Sequence, residues 1–191
     1  LKNYIANSFK VEIPLNVNDE ELIVRGILHP LFIDSKSKFK REAFLPPFNR
    51  NDVSLLRRKY TNDSFCKDHC ASLRISGNKY LGMATFIACH VDEINKSSDI
   101  SVKPKLVATP LNEEKEIIAI TPVYKTTRGL PMHADLLYPS PLIKGQPNTQ
   151  YRKFANEMIK IANYFPDPKP DEKGWEGSPL NWEKKENHLE G

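Results

Sequence analysis

The sequence predicts an α+β fold, a mostly antiparallel sheet with a long C-terminal helix packed on it. Two observations carry this prediction. Short apolar runs bounded by turn residues recur from Phe9 to Tyr138, the pattern of strands joined by loops. The strongest helical periodicity comes afterwards, from Thr149 to Phe165, and no regular strand–helix alternation of the kind a parallel sheet needs precedes it.

The chain has 191 residues, enough for one self-sufficient core, of which 39% are apolar and 27% charged. We expect a single α+β domain over residues 1–166 and a proline-rich charged tail over 167–191. No apolar run approaches the roughly 20 residues that cross a bilayer, and the opening residues lack the apolar stretch of a secretory signal. A cytoplasmic protein without membrane contact is therefore expected. The three cysteines are too few and too irregularly spaced for a disulfide framework.

Taken in order, Phe9 to Leu15 alternates apolar and polar residues, with Pro14 confining it to an edge strand. Leu22 to Leu28 reads as a strand entering the core, ended by His29-Pro30. Ser35 to Arg41 holds Lys36, Lys38, Lys40 and Arg41 and reads as an exposed basic loop. The adjacent prolines of Ala43 to Phe48 exclude a regular interior element. Val53 to Arg58 fits a short strand or a helix start equally well.

Thr61-Asn62-Asp63 is capping chemistry for a helix from about Ser64 to Leu73, stopped at Ser76-Gly77-Asn78. Tyr80 to His90 has the composition of a central strand, and Asp92 to Asp99 that of a loop. Lys105 to Thr109 and Glu116 to Thr121 read as neighbouring strands of a hairpin. A short basic loop then turns at Gly129-Leu130-Pro131, and a last strand begins at His133. In Thr149 to Phe165, residues Tyr151, Phe154, Ala155, Met158, Ile159, Ala162 and Phe165 form one stripe. Pro166, Pro168 and Pro170 end the helix, and Trp175 and Trp182 are the residues able to dock the tail on the body.

The net charge is +4, but the segment from Asp167 onward carries seven acidic residues against four lysines, which leaves about +7 upstream. That balance favours an anionic partner: a nucleotide, a nucleic acid or an acidic protein. Cys66, His69 and Cys70 share a helix face, and Cys89-His90 ends an apolar run. Without a paired Cys-x-x-Cys knuckle these residues read as core packing, and neither metal nor cofactor is expected.

Strand ends supply the candidate site. Arg25, beside Gly26, has room for bidentate contact with a phosphate or carboxylate, and Ser54 and Arg57 follow on the next segment. His133 and Asp135 are two residues apart on a strand and share a face, so the carboxylate is able to orient an imidazole; His29 is a second strand-end histidine. These residues point to binding of a phosphate-bearing ligand at a basic cleft, with processing by His133 and His29 left open. The alternative is a non-catalytic module that binds an acidic protein.

The order Arg25 then Ser54 weakly resembles the arginine-serine-glutamate ADP-ribosyltransferases. That resemblance implies a catalytic glutamate on a later strand or loop, for which Glu113, Glu114 and Glu116 are the nearest offers between Tyr80 and Tyr138. Arg25-Gly26, Ala43-Phe44, Val53-Ser54-Leu55 and His133-Ala134-Asp135 in succession are similar to a group of short uncharacterised bacterial proteins. This second likeness implies a compact fold and brings no activity. The sequence contains no phosphate-binding P-loop, dinucleotide fingerprint, nucleophile elbow or zinc-protease helix.

Overall fold

A computed structural model describes residues 12–36, 38–73, 77–118, 123–124 (backbone only) and 129–184. Six strands form one sheet in the order β5-β7-β3-β2-β4-β8, every neighbouring pair antiparallel. They are β2 (Leu22–His29), β3 (Asp52–Arg57), β4 (Lys79–Ile87), β5 (Lys105–Ala108), β7 (His133–Leu137) and β8 (Asn163–Pro166). Two short strands, β1 (Ile13–Pro14) and β6 (Val123–Tyr124), pair separately. The helices are α1 (Asp63–Ser72), α2 (Cys89–Asn95) and α3 (Thr149–Ile161). The sequence-predicted α+β class with a mostly antiparallel sheet is the architecture found.

Residues directly opposite in an antiparallel ladder share a face. Val24 lies opposite Leu56 and Thr85, Leu56 opposite His133, and Ser54 opposite Asp135, so these side chains occupy one side of the sheet. Helix α1 covers that side. A Cβ on Gly26 would come within 2.8 Å of the Cys70 Cβ, which is why the strand carries a glycine where the helix crosses it. The other side holds Phe86, which meets Phe44 edge-on with ring centroids 5.8 Å apart. Phe44 belongs to a 3-10 turn over Arg41–Phe44, and α3 packs on that turn.

Four expectations are corrected. The run from Tyr80 does not stay extended to His90: the amides of Ala88 and Cys89 donate to Glu21 O and Asp19 O outside the sheet, and α2 starts at Cys89. Part of the expected 92–99 loop is therefore helical. Strand β5 pairs with β7; of its expected hairpin partner, Ile117 forms only an isolated antiparallel bridge to Leu111 and is 62% exposed, and residues 119–121 fall outside the described residues. The C-terminal helix stops at Ile161 instead of Phe165, because Ala162 is extended and Asn163–Pro166 supplies partners to the outer edge of β4.

The expected edge strand survives as Ile13–Pro14; its part up to Val11 falls outside the described residues, as does much of the basic loop before Gly129. Gly129 itself is in the left-handed region at φ 75°, and a Cβ there would sit 2.3 Å from Leu111 O, so the turn requires glycine.

Residues 167–184 lie across α1 and the sheet. Gly174 N donates to Asp68, Trp175 N to Ser64 and Leu180 N to Asp63, while Asn181 O accepts from Thr85 Oγ1. Leu180 is buried, and Trp182 donates from its indole to Ile161 O. Among the described residues no helix is long and apolar enough to cross a membrane.

Candidate functional site

The site lies where β2 and β3 part. These strands pair only at Ile23–Arg57 and Val24–Leu56. Past Val24 the guanidinium of Arg25 bridges β3 and the 3-10 turn: Nη1 donates to Ser54 O at 2.8 Å and Nε to Ala43 O at 3.1 Å. The same group stacks over Phe32, 4.8 Å from the ring centroid. Two neutral acceptors and a ring fix its position without cancelling its charge. Among the described residues Arg25 has no ion pair. Burial draws its pKa down to about 10, against the opposing pull of Cys70, Asp135 and Asp52, so it remains cationic at neutral pH.

Arg25 opens onto a cavity of about 70 Å³ lined by Val24, Gly26, Leu28, Phe32, Ser54, Leu55, Leu56, His69, Cys70, Leu73 and His133. Three of the sequence-predicted residues, Arg25, Ser54 and His133, therefore share one cavity. By the scale on which a single water needs roughly 10–15 Å³, there is room for about five small atoms, the size of a phosphoryl group and not of a nucleoside.

His133 is held from behind. Its Nδ1 lies 3.0 Å from Thr109 O, an acceptor only, so Nδ1 carries the hydrogen. Thr109 Oγ1, also 2.9 Å from Nδ1, donates to Asp135 Oδ2 at 2.7 Å. This leaves Nε2 as the position for a second proton, 3.8 Å from Asp135 Oδ1, a buried oxygen with no hydrogen-bond partner among the described residues. Asp135 is linked to the imidazole through Thr109 Oγ1, and its expected contact with the ligand is corrected, because it does not line the cavity.

His69 was assigned by the sequence only to the cysteine cluster, yet it faces the cavity from α1. Burial, with smaller contributions from His133 and Lys115, holds its pKa down at about 4, so it is neutral near pH 7. Cys70 beside it is buried, and burial pushes its thiol up to about 12. Cys66 is also in the core, and its thiol is raised well above the ordinary value for the same reason. Among the described residues no group of three or more metal-ligating side chains is placed to hold an ion.

An expected ligand contact, Arg57, and an expected catalytic residue, His29, are also corrected. Arg57 does not reach the cavity. Its guanidinium is fully buried and bidentate to Glu21 (Nε to Oε2 and Nη2 to Oε1, both 2.7 Å), with further bonds to Pro14 O and Asn16 O and a stack on Tyr60. Every face of it is used in tying the β1 region to the sheet. His29 ends β2 opposite Lys79, four residues past Arg25, and lines no part of the cavity.

Fold and site define an α+β protein with a small cationic pocket at a split between two antiparallel strands. Among the described residues no glutamate lines the pocket. No protein-family model, no curated protein and no solved structure matches the chain.

Proposed function

We propose that the protein binds a phosphate-bearing ligand, a nucleotide or the end of a nucleic acid, by seating its phosphoryl group against Arg25, Ser54 and His133. The observation that carries this reading is the state of Arg25: a guanidinium held by two carbonyls and a ring, without an ion pair among the described residues, beside a cavity of phosphoryl size. A partly desolvated, uncompensated cation is costly to keep and binds an anion well. Of the two acids that act on Arg25 from a distance, Asp52 is engaged by Arg50 through two hydrogen bonds of 2.9 and 2.8 Å, and Asp135 accepts from Thr109 Oγ1. Proton exchange with the ligand falls to Nε2 of His133, since Nδ1 is committed to Thr109.

Calorimetric titration with inorganic phosphate and with a nucleoside monophosphate tests the reading. Arg25→Ala should weaken binding by about 1.5–3 kcal/mol, the worth of a hydrogen bond to a charged group. Because Arg25 also supports two backbone carbonyls, Arg25→Lys is measured alongside; it keeps the charge, loses the fork and should fall between. Equal affinity in all three proteins, or no binding in any, sinks the reading.

A further inference from the structure

Phe32, the ring under Arg25, is also the root of a tight hairpin. Lys40 N donates to Phe32 O at 2.8 Å, Asp34 N to Lys38 O at 3.1 Å, and Ile33 bridges Phe39. At its tip Oδ1 of Asp34 accepts from the amides of both Lys36 and Lys38 at 2.9 Å, and these bonds hold its carboxyl below the ordinary range. The acid is turned inward to order the loop, and Lys36 and Lys38 are exposed, with no ion pair among the described residues.

Chain reach fixes the geometry. Lys36 and Lys38 are four and six residues from Phe32, and the backbone doubles back between them. Their Cα atoms therefore stand within about 14 Å of that of Phe32 and, with roughly 6 Å of lysine side chain added, their ammonium groups within about 20 Å of it. Phosphates on one strand of a duplex are spaced about 3.4 Å along the axis and further apart when the strand is extended, so the lysines reach to within about three to six phosphates of the pocket.

We propose that the pocket is the end subsite of a longer groove that takes a single-stranded nucleic acid by its terminal phosphate, with Lys36 and Lys38 on the internal phosphates that follow. This rests on the phosphate reading of the pocket. The small cavity is what selects an end: a terminal phosphoryl group enters it with one substituent, whereas an internal diester must find room for two.

Fluorescence anisotropy with labelled 12-nucleotide single strands separates the two claims. One strand carries a terminal phosphate and one has hydroxyl ends; a glutamate peptide of equal charge is the third probe, and each is titrated between 50 and 200 mM salt. The phosphorylated strand should bind at least tenfold tighter than the hydroxyl strand. In a Lys36→Ala, Lys38→Ala variant the slope of log affinity against log salt should fall by about 1.4, twice the 0.7 expected for each single-strand phosphate contact. The same variant should bind inorganic phosphate as the wild type does. If inorganic phosphate binds but the end phosphate adds nothing, or the slope is unchanged, the groove is wrong and the pocket reading stands. If the glutamate peptide binds as tightly as the strands, the partner is an acidic protein. If inorganic phosphate does not bind, both fall.

Discussion

Arg25 and Arg57, two residues the sequence placed together, differ in what their surroundings have done with the charge. Arg57 meets a carboxylate and is sealed in, whereas Arg25 meets carbonyls and borders a cavity. Their substitutions should therefore separate. Arg57→Ala leaves Glu21 buried without its partner and should cost on the order of 3–5 kcal/mol in urea unfolding, with no specific effect on phosphate affinity. An unchanged midpoint would mean that the pair is not sealed. His69 gives the residue scale a pH signature. Its folded pKa of about 4 lies below its ordinary 6.5, so between those values the unfolded chain binds more protons. Stability should be complete above about pH 6.5 and decline as pH falls through 4, and His69→Gln should flatten that slope. His90, also lowered by burial, leaves a residual slope of the same sign. Arg25, Ser54 and His133 were legible as candidates from their chemistry beside a glycine, an arginine pair and a turn, although only His133 stands at a strand end. The roles of His69, Thr109 and Phe32 were not, since each depends on register: Thr109 meets His133 only because β5 pairs with β7.

At the scale of elements, local pattern was informative wherever one face alone decided the outcome. Asn62 caps α1 by accepting from Phe65 N, and β2 runs as its alternation and glycine required. It failed where a neighbour overrode the pattern. Phe165 continues the helical spacing of α3, yet the open edge of β4 draws Asn163–Pro166 into the sheet, because unpaired ladder groups cost more than one lost helical turn gains. The apolar stripe that remains on α3 still buries Phe154, Ala155 and Met158, with the Phe154 ring meeting Tyr138 edge-on at 5.8 Å. Phe154→Ala should therefore cost about 3–5 kcal/mol, read as a lower denaturation midpoint at constant slope. A cost under about 1 kcal/mol would remove α3 from the core.

On the scale of the molecule, composition marked the segment after Asp167 as a tail, and composition is a poor guide when a few residues do the docking. Leu180 and Asp167 are buried, and Lys67, whose side chain is wholly enclosed, lies 4.0 Å from Asp167 Oδ2 and 3.9 Å from Asp68 Oδ1. The strap thus grips α1 through Asp63, Ser64 and Asp68, while the end of the same helix supplies His69 and Cys70 to the pocket, with Leu73 just beyond it. One rigid helix carries both contacts, so stability and site are coupled through it. Leu180→Ala should cost about 2–4 kcal/mol, as a buried leucine does. A chain ending at Lys173 should lose more, since Trp175 and Trp182 go too, and its phosphate affinity should fall because α1 is no longer held against the sheet. Urea unfolding and phosphate calorimetry on the two variants measure both effects. If the truncated chain keeps its midpoint and its affinity, the strap is a passive appendage and α1 stands without it.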